Sequence, residues 1–511
     1  MNDYGRRRFL GTCASATGLW MADLQFLHPI SQAIAQETTV IRDGLQHGPE
    51  IAPIVRLIHS TPRADCVEVF VKELKNGLTY QRFLAALFLA ASETGDLHQL
   101  AQIYAAHRTS ESARVEERLL PLFWALDRIK HGHESEDKSH FLSDLRGPLP
   151  KANDAASAFH DGMKTADKSQ VEHAIIALAR NEGPRHAMNH LWNYSARDLG
   201  GTLGHLPIGV ANAWRMLETI GWQHAEPGLR YLAREICRPK TDNTFDANEQ
   251  RLKRSLTQLP PNWASRKGNR SVTLELYKLL RSAEADAAGD FICATLISRK
   301  ASAGAIWDAI SLAAADLIFR HRVGGNVIGG ALIHAITSTN ALRFGFGLVA
   351  NQETRLIQLL QAAGSVAEGF IGRATKDQGL RKLDLIDNLN QIDPTVTGTV
   401  REIFEQLPKK GDFYEQQDPS EREASDQACR AAFQFLQRPA AAQPFMQTAR
   451  TLLCMKASTD PHDFKYPAAA FEDAFLASPE WRPYLLASSV HALHGMKSPD
   501  SEMLLRARSA I

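Results

Sequence analysis

Apolar and polar positions along this chain recur with the period of helices. The first clear case begins at Thr61-Pro62, an N-cap followed by proline at the first helical position, which predicts a helix over 63–75 ending at Asn76-Gly77. Thr79 caps the next, whose run Phe83-Leu84-Ala85-Ala86-Leu87-Phe88-Leu89 is too uniformly apolar for a surface element and predicts a buried helix. Similar alanine- and leucine-rich runs recur at 119–129, 171–180, 210–220, 274–280, 305–319, 328–344 and 468–476. Alternating β-branched strands are scarce. The expected class is therefore all-α, a multi-helical globular body with two helical subdomains around a histidine-lined pocket.

Two stretches interrupt the pattern. Between 239 and 271, Pro239, Thr241-Asp242-Asn243, Pro260-Pro261 and Lys267-Gly268-Asn269 lie among charges and predict a loop or linker insertion. A second polar stretch, 409–427, predicts a surface excursion. The expected layout is a signal segment over 1–35, an N-terminal helical region over 36–238, the linker over 239–271 and a C-terminal helical region over 272–511.

The first 35 residues read basic, apolar, then small-x-small: Arg6-Arg7-Arg8-Phe9-Leu10, an uncharged stretch from Thr12 to Ala22, and Ala33-Ile34-Ala35 before Gln36. This is the pattern of a twin-arginine signal, and it predicts export to the periplasm or the cell exterior. That route carries folded proteins, often ones that acquire a cofactor first. No later run reaches the ~18 apolar residues a membrane-spanning helix needs. With 58 basic and 57 acidic side chains, the chain has no overall field to attract nucleic acid. Five cysteines beyond Cys13 are scattered without a C-x-x-C pair, which indicates neither a disulfide framework nor a cysteine zinc site and leaves room for one bridge.

The body has no G-x-S-x-G elbow, no P-loop lysine motif, no G-x-G-x-x-G strand-to-helix turn and no H-E-x-x-H. The glycine pairs Gly324-Gly325 and Gly329-Gly330 precede an apolar run and suit close helix packing better than phosphate binding.

Histidines in apolar, core-like sequence remain: His205 after Gly204, His224 within Trp222–Pro227, His334 within Ala331–Ile336, and His462 after Asp460-Pro461. Burying an imidazole costs free energy unless both ring nitrogens find partners, and a metal can satisfy one while a carboxylate or carbonyl takes the other. Any one of them alone suits a hydrogen-bonded core histidine; four together suggest a shared site. His462 and Lys465 stand three apart and project from one face if that turn is helical, with Pro467 expected to limit it. A buried lysine whose pKa falls can react with CO₂ to give an anionic carbamate that resembles a carboxylate ligand; a surface base is the alternative. Asp198, Glu226, Asp463 and Asp473 are candidates to orient the imidazoles. His190 beside Trp192 could stack a flat ligand, although core packing by Trp192, Trp214 and Trp222 is the better account. His98 is a further candidate in more polar surroundings. A faint echo links His205–Ala213 to His334–Ala341, each placing His before an apolar turn and Asn-Ala.

In Gly204-His205-x-Pro207-Ile208, His334-Ala335-Ile336-Thr337-Ser338-Thr339-Asn340-Ala341-Leu342 and His462-Asp463-Phe464-Lys465 the chain resembles the questin oxidase-like family. In 49–57, Leu122–Asp127, Trp222–Pro227 and Ser478-Pro479-x-Trp481-Arg482 it also looks like a group of exported bacterial helical proteins. The family includes oxygenases of anthraquinone-type polyketides, some resembling non-haem iron enzymes that hold the metal by histidines and a carboxylated lysine. The resemblance implies iron, with His205, His334 and His462 as ligands, His98 or His224 as a further one, and Lys465 as the carbamate. It further implies an oxygenase acting on a small aromatic or quinone-type molecule. The rival expectation is a non-catalytic exported binding or scaffold protein, whose histidines would scatter through separate core layers.

Overall fold

In the computed structural model the run Phe83 to Ala91 forms the middle of one helix, Tyr80–Thr94, with every one of those side chains buried. Thr79 Oγ1 accepts the Arg82 N–H at its start, as the sequence predicts. The structure describes residues 50–94, 96–135, 142–197, 199–239, 243–321, 329–376, 379–391, 398–409 and 419–511. The expected signal segment over 1–35, Asp198 and Gly324-Gly325 lie outside them. The body is all-α, and among the described residues no strand forms beyond one isolated bridge between His321 and Leu380.

Each apolar run of the sequence becomes a helix. Ala303–Arg320 is buried along its whole length, and its two carboxylates are paired: Asp308 accepts from Ser478 Oγ at 2.5 Å and Asp316 meets Arg281 and Arg320. That pairing offsets the cost of burying charge.

Two expectations are corrected. Within 239–271, Asn243–Ser255 is helical, because Phe245, Asn248, Leu252 and Ser255 recur at three- and four-residue intervals and bury one face. Asn248 Nδ2 donates to Leu360 O at 3.2 Å and Gln361 Oε1 at 2.7 Å, so a polar residue serves as an inward anchor there. The end of the 409–427 stretch likewise belongs to a helix, Pro419–Leu436, in which Ser425, Asp426, Ala428 and Cys429 are buried.

Four helices make the centre: α1 (Leu97–Ser112), α2 (His205–Ile220), α3 (Gly329–Leu348) and α4 (His462–Leu476). They pack in a ring, α1 on α2, α2 on α3, α3 on α4 and α4 on α1. All four run in the same direction. Near their starts His98, His205, His334 and His462 are in ring contact; further along, Arg215 of α2 bonds Asn340 of α3, Asn340 bonds Glu472 of α4, and Arg215 stacks on Tyr104 of α1. Parallel neighbours cannot be joined by short turns, and the segments between them, 113–204, 221–328 and 349–461, hold most of the other described helices, the remainder preceding α1 or following α4.

Buried apolar side chains form two clusters, one drawn mainly from Ile51 to Cys237 and the other mainly from Phe245 to Leu493. α3 and α4 contribute to both: Ala341 and Phe464 belong to the first, Ile333, Leu342, Tyr466 and Phe471 to the second. α4 continues through Pro467 to Leu476 instead of stopping there. Proline removes one backbone donor, and the burial of Phe471 and Ala474 beyond it holds the helix together. All five described cysteines are buried and free, so the possible bridge is absent among them.

Candidate metal centre

Each histidine of the cluster is set by the first turns of its helix. His205 and His462 are the first residues of α2 and α4, His98 is the second of α1, and His334 lies in the second turn of α3. Gly204 sits just before α2 in the left-handed region, φ +76°, against Ser338 of α3; a β-carbon there would lie 2.4 Å from Ser338 Cβ. Only glycine lets the start of α2 approach α3 that closely. Asp96 Oδ1 accepts the His98 backbone N–H at 2.7 Å, and Asp460 Oδ1 accepts that of His462 at 2.8 Å. Carboxylates therefore stand at two of the four converging helix N-termini, where partial positive charge accumulates.

The imidazoles meet in two pairs. His98 Nε2 and His205 Nε2 are 2.9 Å apart, and His334 Nε2 and His462 Nε2 are 3.2 Å apart. The pairs are joined by ring contacts with centroids 4.3 Å apart for His205–His334 and 5.5 Å for His98–His462. His205 Nδ1 donates to Thr202 O at 2.6 Å, and His462 Nδ1 donates to Asp460 Oδ1 at 2.6 Å. Both neutral rings therefore carry their proton on Nδ1 and turn the Nε2 lone pair toward the cluster. His334 Nδ1 is buried without a hydrogen-bond partner. Lys465 Nζ lies 2.5 Å from His98 Nδ1.

Electrostatics keeps these groups neutral. Burial, then the neighbouring Lys465, pushes His205 down to about 4 and moves His98, His334 and His462 in the same direction. Burial also lowers Lys465 to about 7, partly opposed by Asp96 and Asp460. Burial would raise the Asp460 carboxyl, but the bonds from His462 outweigh it and leave it below its ordinary value.

Three of the four imidazoles, His98, His205 and His334, fit a single metal ion as they stand, and His462 adjoins them through His334. Two nitrogens each ~2.1 Å from one ion stand about 3.0 Å apart at right angles and about 3.4 Å apart at the tetrahedral angle. The two Nε2 separations fall in that range or just below it, and one ligand atom from each of His98, His205 and His334 lies within 4.8 Å of the others.

Beyond the cluster the same helix faces line a small, partly open pocket with about 20 Å³ of free volume, bounded by Lys465, Ala101, Ile208, Thr337 and Ala468 and by a polar layer of Tyr104, Asn212, Arg215, Asn340 and Glu472. The residues of the polar layer follow the histidines by six to ten residues, roughly 9 to 15 Å along the axes. Arg215 Nη2 donates to Asn340 Oδ1 at 3.0 Å and Glu472 Oε2 at 2.7 Å, and Asn340 Nδ2 donates to Asp473 Oδ1 at 3.0 Å.

Of the sequence candidates, His98, His205, His334, His462 and Lys465 come together. His224 does not join them: it follows the far end of α2, and that helix is about 24 Å long. Its apolar flanks reflect packing between Trp222 and the helix Ala225–Ile236. The acidic neighbours also sort differently. Asp463 accepts from Ser458 N and His494 Nε2, Glu226 lies 3.8 Å from Arg180, and Asp473 belongs to the polar layer. The carboxylate on a cluster imidazole is Asp460, which the sequence marks only as a helix cap. Trp192 is core, and His190 lies in a separate group. Asp96 and the polar layer carry no signal in the sequence beyond an N-cap pattern and helical spacing from the histidines. No family model, curated protein or solved structure matches this chain.

Proposed function

We propose that this chain is a metal-dependent oxidoreductase of the non-haem iron oxygenase kind, acting on a small aromatic molecule. The observation that carries the reading is the convergence of four neutral imidazoles, one from each of four parallel helices, beside a buried lysine. His205 and His462 would hold the ion through Nε2, oriented by Thr202 O and Asp460; His98 and His334 would complete the nitrogen set. Iron bound there would supply the one-electron chemistry with dioxygen that side chains lack.

Four helix N-termini and a cation in one buried layer call for more negative charge than Asp96 and Asp460 provide. Lys465 supplies it as a carbamate: the neutral Nζ lone pair forms a bond to the carbon of CO₂, an electron pair moves onto oxygen, and Nζ gives up one proton. An amine that titrates near 7 has enough neutral form to react at neutral pH. The pocket beside Lys465 has a free volume of about 20 Å³, room for a water molecule, so an aromatic ring would enter it only as the helix faces part. The ring would lie against Ala101, Ile208 and Ala468, with its oxygen toward the Arg215–Asn340 layer.

The N-terminal signal fits this reading, because a centre buried inside a bundle is loaded as the chain folds, and a route for folded proteins preserves it. Replacing Arg6 and Arg7 by lysine is expected to hold the protein in the cytoplasm.

The test is metal content by elemental mass spectrometry of protein purified without chelator or affinity metal, beside a His334→Ala, Lys465→Ala double variant. Near-stoichiometric iron that the variant loses supports the proposal and directs substrate screens to phenols and quinones. Zinc in place of iron redirects it to hydrolysis. No metal in either protein overturns it and leaves a non-catalytic exported binding protein.

A further inference from the structure

Away from the bundle, the helices Lys168–Glu182 and Pro184–Ser195 bring a second set of metal-ligating side chains together. Glu182 ends the first helix, Gly183 takes φ +94°, and Pro184 opens the second, so the chain changes direction on one residue. His186 and His190 stand four apart and share a face. Glu182 Oε2 lies 2.7 Å from His186 Nε2, the His186 and His190 rings are edge-on with centroids 5.5 Å apart, and one ligand atom from each of the three lies within 4.8 Å of the others. His160 flanks them, its ring 5.5 Å from His190 and its Nδ1 bonded to Tyr194 OH at 2.7 Å. His190 Nδ1 is buried and has no hydrogen-bond partner, a state that a bound ligand would relieve.

We infer that Glu182, His186 and His190 form a second metal site, taking a divalent transition ion of the zinc or copper class. Two imidazoles and one carboxylate suit such ions and not magnesium or calcium, which prefer oxygen alone. The Glu182 and His186 side chains are 40% and 53% exposed, so the ion enters from solvent and keeps open positions there. Because its ligands come from two successive helices, the ion also braces the turn at Gly183.

The full chain, stripped by chelator, is titrated with Zn²⁺ against a chromophoric competitor in a His334→Ala background, which disables the central cluster. One zinc equivalent is expected to remain, and adding His186→Ala or His190→Ala is expected to weaken it at least tenfold. Zn²⁺ should raise Tm in the His334→Ala protein and not in its His186→Ala derivative. His173→Ala, a histidine bonded to Ser169 O and Arg146 O, serves as the control that leaves zinc affinity unchanged. If His190→Ala does not fold, the exposed His186 decides the matter. No zinc equivalent in the His334→Ala protein, or equal affinity with and without His186, overturns the site.

Discussion

The Nε2 atoms of His98 and His205 stand 2.9 Å apart across 107 residues of chain. Both belong to the first turn of their helices, so the contact depends on where α1 and α2 begin and on how closely those beginnings approach α3. The most exposed point of failure is the backbone at Gly204.

Gly204→Ala should therefore damage fold and site together. A left-handed conformation costs a non-glycine residue about 1–2 kcal/mol, and the clash with Ser338 adds overpacking of similar size, for a loss of about 2–4 kcal/mol. Urea denaturation reads the stability, and bound metal should fall with it as His205 is displaced. An unchanged midpoint would show that α2 and α3 separate without strain.

Asp460→Asn tests the orientation of His462. The carboxylate takes both the ring Nδ1–H and the backbone N–H, and partners of that kind are worth about 10–100-fold in metal affinity. The same change at Asp463, which holds Ser458 N and His494, should affect metal binding much less. Competition with a chelator of known affinity separates the two; equal losses would place the orienting role elsewhere.

In the metal-free chain, acid should unfold the protein through this cluster. His205 is ordinarily half-protonated near 6.5 and is held at about 4 in the fold. Between those values the unfolded chain binds a proton that the folded one refuses, so stability falls as pH drops from 6.5 to 4. His98, His334 and His462 shift in the same direction. Asp473, raised to about 7 by burial, acts oppositely over its window from 3.8 to 7, and burial raises Asp96, Asp308 and Asp316 in the same sense; the lowered histidines outnumber them, because His107, His190, His321 and His491 shift downward with the cluster. Denaturation midpoints at pH 7, 5.5 and 4.5 should decline for the native sequence and decline less for His205→Gln. Parallel profiles would remove His205 as a cause.

Arg215→Ala should separate the pocket from the metal. Arg215 is nearly buried, bonds Asn340 and Glu472, and lies with its guanidinium 4.1 Å from the Phe344 ring centroid. Its loss should cost about 2 kcal/mol of stability, limited because Glu472 is about one-third exposed and can be hydrated. Metal content should stay unchanged, since the polar layer lies beyond the histidines, while affinity for a simple phenol falls. Loss of metal in this variant would show the two layers to be one unit.

Much of the fold was legible because helix formation is local. Thr79 announces a cap, Phe83 to Leu89 announce a buried helix, and both are found. Asn243–Ser255 was not legible, because its inward face uses Asn248, Arg251 and Ser255, polar side chains that become core only when Gln361, Asp286 and Asp290 meet them. Pro467 misled for a related reason: a proline reads as a stop, whereas packing beyond it outweighs one missing donor.

At the centre, the sequence by itself determined the residue types and the helical frame: histidines near helix starts, Lys465 one turn after His462, and enough apolar surface to bury both. Tertiary structure alone decided which histidines meet. His98, in polar surroundings, enters the cluster, and His224, in apolar ones, does not, because flanking residues report burial of a turn and not its direction. It also decided that four helices separated by roughly a hundred residues each run parallel, bringing their N-termini, Asp96, Asp460 and Lys465 into one layer. Local periodicity contains no term for that arrangement; it follows from the packing of the intervening helices around the bundle.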